Sequence, residues 1–310
     1  MGSPILDQLF DNRAALPDPD VRDRLARLVG MDNEIESLAK LLGVLICPSR
    51  LDDWAEKHHK NVPAILVHVK RRHPLVIIAG DVGTGKTELS ETIGDKVARH
   101  EKIQITLYPM SLSARGSGLV GEMTKLISDA FDHVVENTKK IARKKTGEYA
   151  AGSILLIDEA DAIAQSRENS QMHHEDKAGV NALIRGLDLI RRDSMPAAVI
   201  MCTNRLSAID PAVRRRAANI FCFRRPNIEQ RKFVFTGSFK GIGFTDEQIN
   251  RLAELSGENK GKPAFTFSDI TERFMYAVVM DAYPDKAIEF ERTVEILKNM
   301  EPTPPFTEEA

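Results

Sequence analysis

Gly80 through Thr87, GDVGTGKT, carries the spacing G-x-x-x-x-G-K-[ST], and the chemistry such a stretch supports is the cradling of a phosphate chain. Its glycines let the backbone curl closely around phosphates, with amide N–H groups exposed at the positive end of a helix. Lys86 is placed to reach the terminal phosphates, and the Thr87 hydroxyl to hold Mg²⁺. Asp81, Val82, Gly83, Thr84, Gly85, Lys86, Thr87 and Glu88 are therefore the candidate nucleotide-binding residues. A second constellation supplies acids. Asp158 follows the apolar run ILLI directly, which puts its carboxylate at a strand end where it can position Mg²⁺. Glu159 beside it can orient and activate a water for in-line attack on a γ-phosphate. The same acidic pair would also suit a helix N-terminus on dipole grounds alone. Asn204 ends the run VIMCTN, where its amide can hydrogen-bond the γ-phosphate or the attacking water, although asparagine is equally an ordinary turn residue. Arg214, Arg215 and Arg216 follow a helix start at Ile209-Asp210-Pro211-Ala212. Three consecutive arginines cannot all face one way, so one or two can reach a given phosphate. An arginine supplied by a neighbouring subunit accelerates phosphoryl transfer by about 10³ to 10⁵. A solvated basic patch is the other reading of the three.

These residues need elements to hold them. Leu75 to Ala79 is an unbroken apolar run that suits a strand buried on both faces of a parallel sheet, and the stretch from Lys86 to Gly94 continues without a breaker, as a helix would. Further strand-like runs lie at 102–107, 153–157, 195–203 and 219–223, with helical periodicity between them. Five short apolar strands alternating with helices predict an α/β fold, a doubly wound five-stranded parallel sheet whose ligand crevice lies at the strand C-terminal ends. Before the first of these strands, Asp32 to Leu45 reads as an N-capped amphipathic helix. From Pro226 onward the pattern is helices alone, at 229–239, 245–255, 268–280 and 286–298. The expected organisation is an N-terminal arm over 1–27, a nucleotide-binding α/β domain over 28–225, a smaller all-helical domain over 226–300 and a flexible Pro-rich tail over 301–310.

Composition narrows the partners. A chain of 310 residues with a formal net charge of −2 has no global field that argues for nucleic acid or an anionic membrane. The run Lys139, Lys140, Arg143, Lys144, Lys145 could touch nucleic acid, but no aromatic stacking residues are interleaved, and a solvated helix end accounts for it better. His58 and His59 are adjacent and point in different directions on a helix, which favours a solvated face over a metal site. Cys47, Cys202 and Cys222 form no metal-ligand spacing, and a reduced, cytoplasmic compartment fits them. Nowhere do about 18 apolar residues run together, so the expectation is no membrane span.

Taken together, GDVGTGKT, ILLIDEAD, the strand ending in TN, and IDPAVRRRA resemble the AAA+ ATPase module over about residues 28 to 280. The resemblance implies ATP with Mg²⁺ as ligands, a helical lid after the α/β domain, and a homo-oligomeric ring, usually a hexamer, with ATP between protomers. It places Gly30, in LVGMD, in the adenine pocket, Phe267-Ser268-Asp269-Ile270 in the lid helix over the nucleotide, and the arginine finger on Arg215 and Arg216. A loop that grips a threaded peptide falls on Leu119, Val120, Gly121 and Glu122, with leucine replacing the usual aromatic. The stretch 165–176 is either a second pore loop or a surface loop. The compact layout is similar to the HORMA-domain remodelling ATPases, in particular the stand-alone bacterial members of the cyclic-oligonucleotide anti-phage systems known as CBASS. That likeness implies a ring that opens a HORMA protein and dismantles its complex with a nucleotidyltransferase. A nucleic-acid-associated ATPase, such as a loader or transposition regulator, and a nucleotide-dependent assembly switch are the alternatives.

Overall fold

The computed structural model describes residues 9–110, 122–142, 144–145, 148–162, 174–259 and 261–305. The chain forms two compact units. One draws on the chain up to Ala26, on Asn33–Ala79 and on Thr87–Phe221; the other draws on Arg27–Asp32, on Gly80–Lys86 and on the chain from Cys222 onward.

The first unit is built on one sheet of six strands, β1 Ala14–Leu16, β2 Leu75–Gly80, β3 Gln104–Pro109, β4 Ala151–Ile157, β5 Ala197–Thr203 and β6 Ala217–Phe223, in the order β1-β3-β4-β5-β2-β6. β3, β4, β5 and β2 pair in parallel, with Leu107 opposite Ile154, Leu155 opposite Val199, and Ile77 opposite Met201. The chain leaves β2, crosses two strand positions to β3, returns through β4 and β5 to the flank of β2, and then sets β6 on its other side. The carboxyl end of β2 is thus a topological switch point, where sheets of this kind bind ligands. Their apolar runs explain the central strands. Leu75, Val76, Ile77 and Ile78 have no exposed surface, and β4 and β5 are buried along their whole length, as strands covered on both faces must be.

Two features depart from the five-stranded parallel expectation. The arm supplies a sixth strand: β1 runs antiparallel along the outer edge of β3, pairing Ala14 with Leu107 and Leu16 with Ile105, while Phe10 bridges to Met110. Covering that edge removes a row of unpaired amides, and the arm is anchored by Leu9, Phe10 and Leu16, all nearly without exposed surface. β6, although just as apolar, is an edge strand and is mostly half-exposed.

The helices of this unit are α1 Pro19–Ala26, α2 Asp32–Ile46, α3 Arg50–His59, α4 Ile65–Lys70, α5 Lys86–Glu101, α6 Glu122–Ile141, α7 His174–Arg192 and the single turn α8 Pro211–Arg214. α2 buries Ile35, Leu38, Ala39 and Leu42, the stripe its i, i+3, i+4, i+7 spacing predicts. Among the described residues, no helix is long and apolar enough to cross a membrane.

The second unit carries α9 Ile228–Ser238, α10 Asp246–Leu255, a π-helical turn Asp269–Phe274 leading into α11 Met275–Ala282, and α12 Phe290–Asn299. α9 and α10 each start on a capping box, Asn227 with Gln230 and Thr245 with Gln248, so the orphan amides of both first turns are met by side chains. Phe235, Phe239 and Phe274 form its aromatic centre, with the Phe235 and Phe274 rings edge-on at 5.9 Å. Pro302 is buried and Thr303 is hydrogen-bonded to Asp269.

Candidate nucleotide site

The glycine loop, Gly80–Lys86, belongs to the second unit and is shaped by it. Gly83 and Gly85 sit at φ +73° and +87°, the left-handed region where a side chain is strained. A Cβ on Gly83 would lie 2.7 Å from Thr266 Oγ1, and one on Gly85 would lie 3.1 Å from Met31 Cε. The Gly83 carbonyl accepts a hydrogen bond from the Ser268 amide at 3.1 Å, which brings the FSDI stretch onto the loop. Within the loop, the Asp81 carbonyl accepts from both Thr84 Oγ1 and Lys86 Nζ at 2.8 Å. Thr84 is fully buried and Lys86 is 6% exposed, so the ammonium is held against the loop. Val82 is exposed. Gly30, at φ +76°, has its carbonyl hydrogen-bonded by Gln230 Nε2.

The acids lie in the first unit. Thr87, the second residue of α5, donates its hydroxyl to Asp158 Oδ2 at 2.7 Å, so two of the proposed metal-binding side chains meet directly. Asp158 Oδ1 accepts the Glu159 amide at 2.8 Å. Glu159 is exposed and takes φ +48°, a backbone region that costs a non-glycine residue about 1–3 kcal/mol and that clusters at functional sites. Two positions on, Asp161 Oδ1 accepts from Thr203 Oγ1 at 2.9 Å, and Thr203 Oγ1 in turn accepts the Arg205 amide at 3.0 Å. This ties the carboxyl end of β4 to that of β5, where Asn204 sits half-buried. Asp161 and Thr203 were not singled out in the sequence, although ILLIDEAD and VIMCTN contain them; nothing but the pairing of β4 with β5 reveals that they meet.

The remaining candidates divide. The Glu88 carboxylate is engaged by Arg24 through Nε at 2.8 Å and Nη2 at 2.7 Å, with Glu91 on the same Nη2 at 2.6 Å, so this side chain secures α1 to α5. The three arginines behave differently. Arg215 is exposed. Arg216 donates to the Ala212 carbonyl at 3.0 Å and stands 3.5 Å from Asp188, lining with it and His73 a cavity of about 930 Å³ that includes no loop residue. Arg214 Nε is buried without a hydrogen-bond partner among the described residues. Leu119, Val120 and Gly121, and most of the 165–176 stretch, lie outside the described residues. Lys139 pairs with Asp193 at 3.1 Å, in keeping with a solvated helix end. The His59 ring packs edge-on to Trp54, and among the described residues no three His, Cys, Asp or Glu side chains gather to hold a metal ion.

Comparison with known proteins agrees with this geometry. Residues 76–225 match the family described as ATPase family associated with various cellular activities (AAA). Over 305 residues the chain is 52% identical to CD-NTase-associated protein 6 of Escherichia coli strain MS 115-1, covering 98% of this chain and 97% of that protein. Among solved structures, a chain of the E. coli MS115-1 HORMA:CdnC:Trip13 complex superposes with a TM-score of 0.91 at 50% identity, over 99% of this chain and 100% of that one. Rhizobiales Trip13 superposes with a TM-score of 0.77 at 46% identity, over 96% and 100%. With the phosphate loop, the acid pair and the helical C-terminal unit in place and likeness running from end to end, the chain belongs to the AAA family of ATPases, alongside CD-NTase-associated protein 6.

Proposed function

We propose that this chain is a ring-forming AAA ATPase that uses ATP hydrolysis to open a HORMA-domain protein, dismantling that protein's complex with a cyclic-oligonucleotide synthase and so restraining anti-phage signalling. The observation that carries this reading is the end-to-end likeness to a chain seen together with HORMA and CdnC. In this scheme residues 28–225 form the nucleotide-binding domain, 226–300 the lid, and six cytoplasmic copies close the ring. Lys86 and the loop amides hold the phosphates. Thr87 and Asp158, a hydroxyl and a carboxylate already 2.7 Å apart, are the hard oxygen ligands that suit Mg²⁺, which supplies charge neutralisation at the transferring phosphoryl group. Glu159 orients the attacking water, and Asn204 reads the γ-phosphate. Arg215, exposed, and Arg216, which also contacts Asp188 of its own chain at 3.5 Å, are offered to the site of the next protomer. Leu119 and Val120 contact the substrate chain; with leucine in place of an aromatic, the grip suits local opening of a small domain.

Glu159→Gln tests the whole reading. The variant should bind ATP, hydrolyse it about 10²-fold more slowly or worse, and trap its partner. Pull-down with this variant from the native cell, with mass spectrometry of what it retains, is expected to recover a small HORMA protein with a nucleotidyltransferase. Wild-type turnover would remove Glu159 from the chemistry, and recovery of nucleic acid with DNA-stimulated turnover would replace the remodelling assignment.

A further inference from the structure

Asp81 puts a carboxylate inside a loop whose task is to wrap a polyanion. Like charges repel, and more strongly where water is partly excluded. The second unit answers this with Arg225, whose Nε and Nη2 lie 2.8 and 2.6 Å from Asp81 Oδ2. The two side chains are only 12% and 16% exposed, so the pair is largely removed from solvent. The rest of the guanidinium is fixed by main-chain carbonyls: Nη1 donates to Ala264 at 2.5 Å and Nη2 to Thr303 at 2.8 Å. Lysine could not replace this fork, because one ammonium cannot serve three directions in a plane.

The contacts continue into a closed circuit. Thr303 donates its amide to Asp269 Oδ2 at 3.0 Å and its hydroxyl to Asp269 Oδ1 at 2.6 Å. Asp269 also accepts the Thr266 amide at 3.0 Å, and Thr266 packs against Gly83. Ser268, next to Asp269, donates its amide to the Gly83 carbonyl. The path therefore starts on the loop at Asp81, runs through Arg225, the C-terminal segment and Asp269, and ends on the loop at Gly83.

We propose that Arg225 is a positioning residue for nucleotide binding: it cancels the charge of Asp81, and through Thr303 it makes the C-terminal segment a strap that holds the glycine loop receptive to a triphosphate. The proposal rests on Gly80–Thr87 being the nucleotide site, and its test separates the two. Affinity for ATPγS is measured by calorimetry on the 310-residue chain carrying Arg225→Ala, Asp81→Asn with Arg225→Ala, or Lys86→Ala, and on the chain ended after Pro302. Arg225→Ala should weaken binding about tenfold or more, as expected when one partner of a desolvated charge pair is left alone. Adding Asp81→Asn should restore most of that loss, which a purely structural arginine would not allow. The truncation should weaken binding severalfold and add little to Arg225→Ala, because both act on one network. Unchanged affinity in Arg225→Ala, or a double variant no better than Arg225→Ala alone, overturns the proposal while Lys86→Ala still abolishes binding. Wild-type affinity in Lys86→Ala overturns the site itself, and the proposal with it. Should Arg225→Ala fail to fold, as judged by circular dichroism, the truncation decides: affinity equal to wild type overturns the strap.

Discussion

Asp269 has a side chain only 1% exposed, a position that an isolated carboxylate would not occupy in its charged form. Burial pushes its pKa up, but hydrogen bonds from Thr303, Thr266 and Arg273 outweigh burial and hold the carboxyl below its ordinary range. A group whose folded pKa is depressed stabilises the fold fully above its unfolded value, about 3.9, and loses that contribution as pH falls through the folded value. Asp269→Asn should therefore melt lower than wild type at pH 7, and the gap should narrow as pH drops below about 4. Thermal melts of both proteins from pH 7 to pH 3 check this. Other carboxylates with lowered pKa, among them Asp193 and Asp281, are common to both proteins and cancel in the difference. Parallel melting curves would mean that the Asp269 charge contributes nothing beyond its shape.

Between residues and molecule stand the elements, and the contact of α6 with α7 is the most sharply constrained. Gly186 lets the two helices close on the Phe131 ring: a Cβ there would lie 2.3 to 2.6 Å from three ring atoms of Phe131, which is 2% exposed. Gly186→Ala gains about 1 kcal/mol of helix propensity but overpacks the core at about 1–3 kcal/mol, so it should lower stability in urea titration. A variant as stable as wild type would show that the helices can part. Such contacts mark where a sequence can be read and where it cannot. Leu75–Ala79, ILLI and VIMC announced buried strands because an apolar run covered on both faces has one stable setting. Asp158 was legible because it follows a strand whose end must lie at the crevice, and Thr87 because it closes the glycine motif. Three residues, Ala14–Leu16, carry no such pattern, and only pairing with β3 makes them a strand. The pairing of Glu88 with Arg24 was not legible because the two lie 64 positions apart, and Arg225 went unseen because Asp81 lies 144 away. Local spacing exposes the chemistry of a loop but not the charges brought to it from elsewhere in the chain.

For the molecule as a whole, the decisive feature is an exposed arginine whose side chain has no hydrogen-bond or ion-pair partner among the described residues. Arg215 is exposed, whereas its neighbour Arg216 contacts Ala212 and Asp188. If each site is completed by the next protomer, catalysis belongs to interfaces and not to single chains. Arg215→Ala alone should lower turnover by about 10³-fold, the effect of removing such a finger, and Glu159→Gln alone should also be nearly inactive. Mixed in equal amounts, the two still form seams in which Glu159 comes from one protomer and Arg215 from the next. Random head-to-tail assembly makes about a quarter of the seams intact, so turnover should recover to no more than about a quarter of wild type. Phosphate release from the mixture, compared with each variant alone at the same total concentration, is the measurement. A mixture no more active than its two components would place Arg215 outside the neighbour's chemistry and leave each protomer to hydrolyse ATP with its own residues.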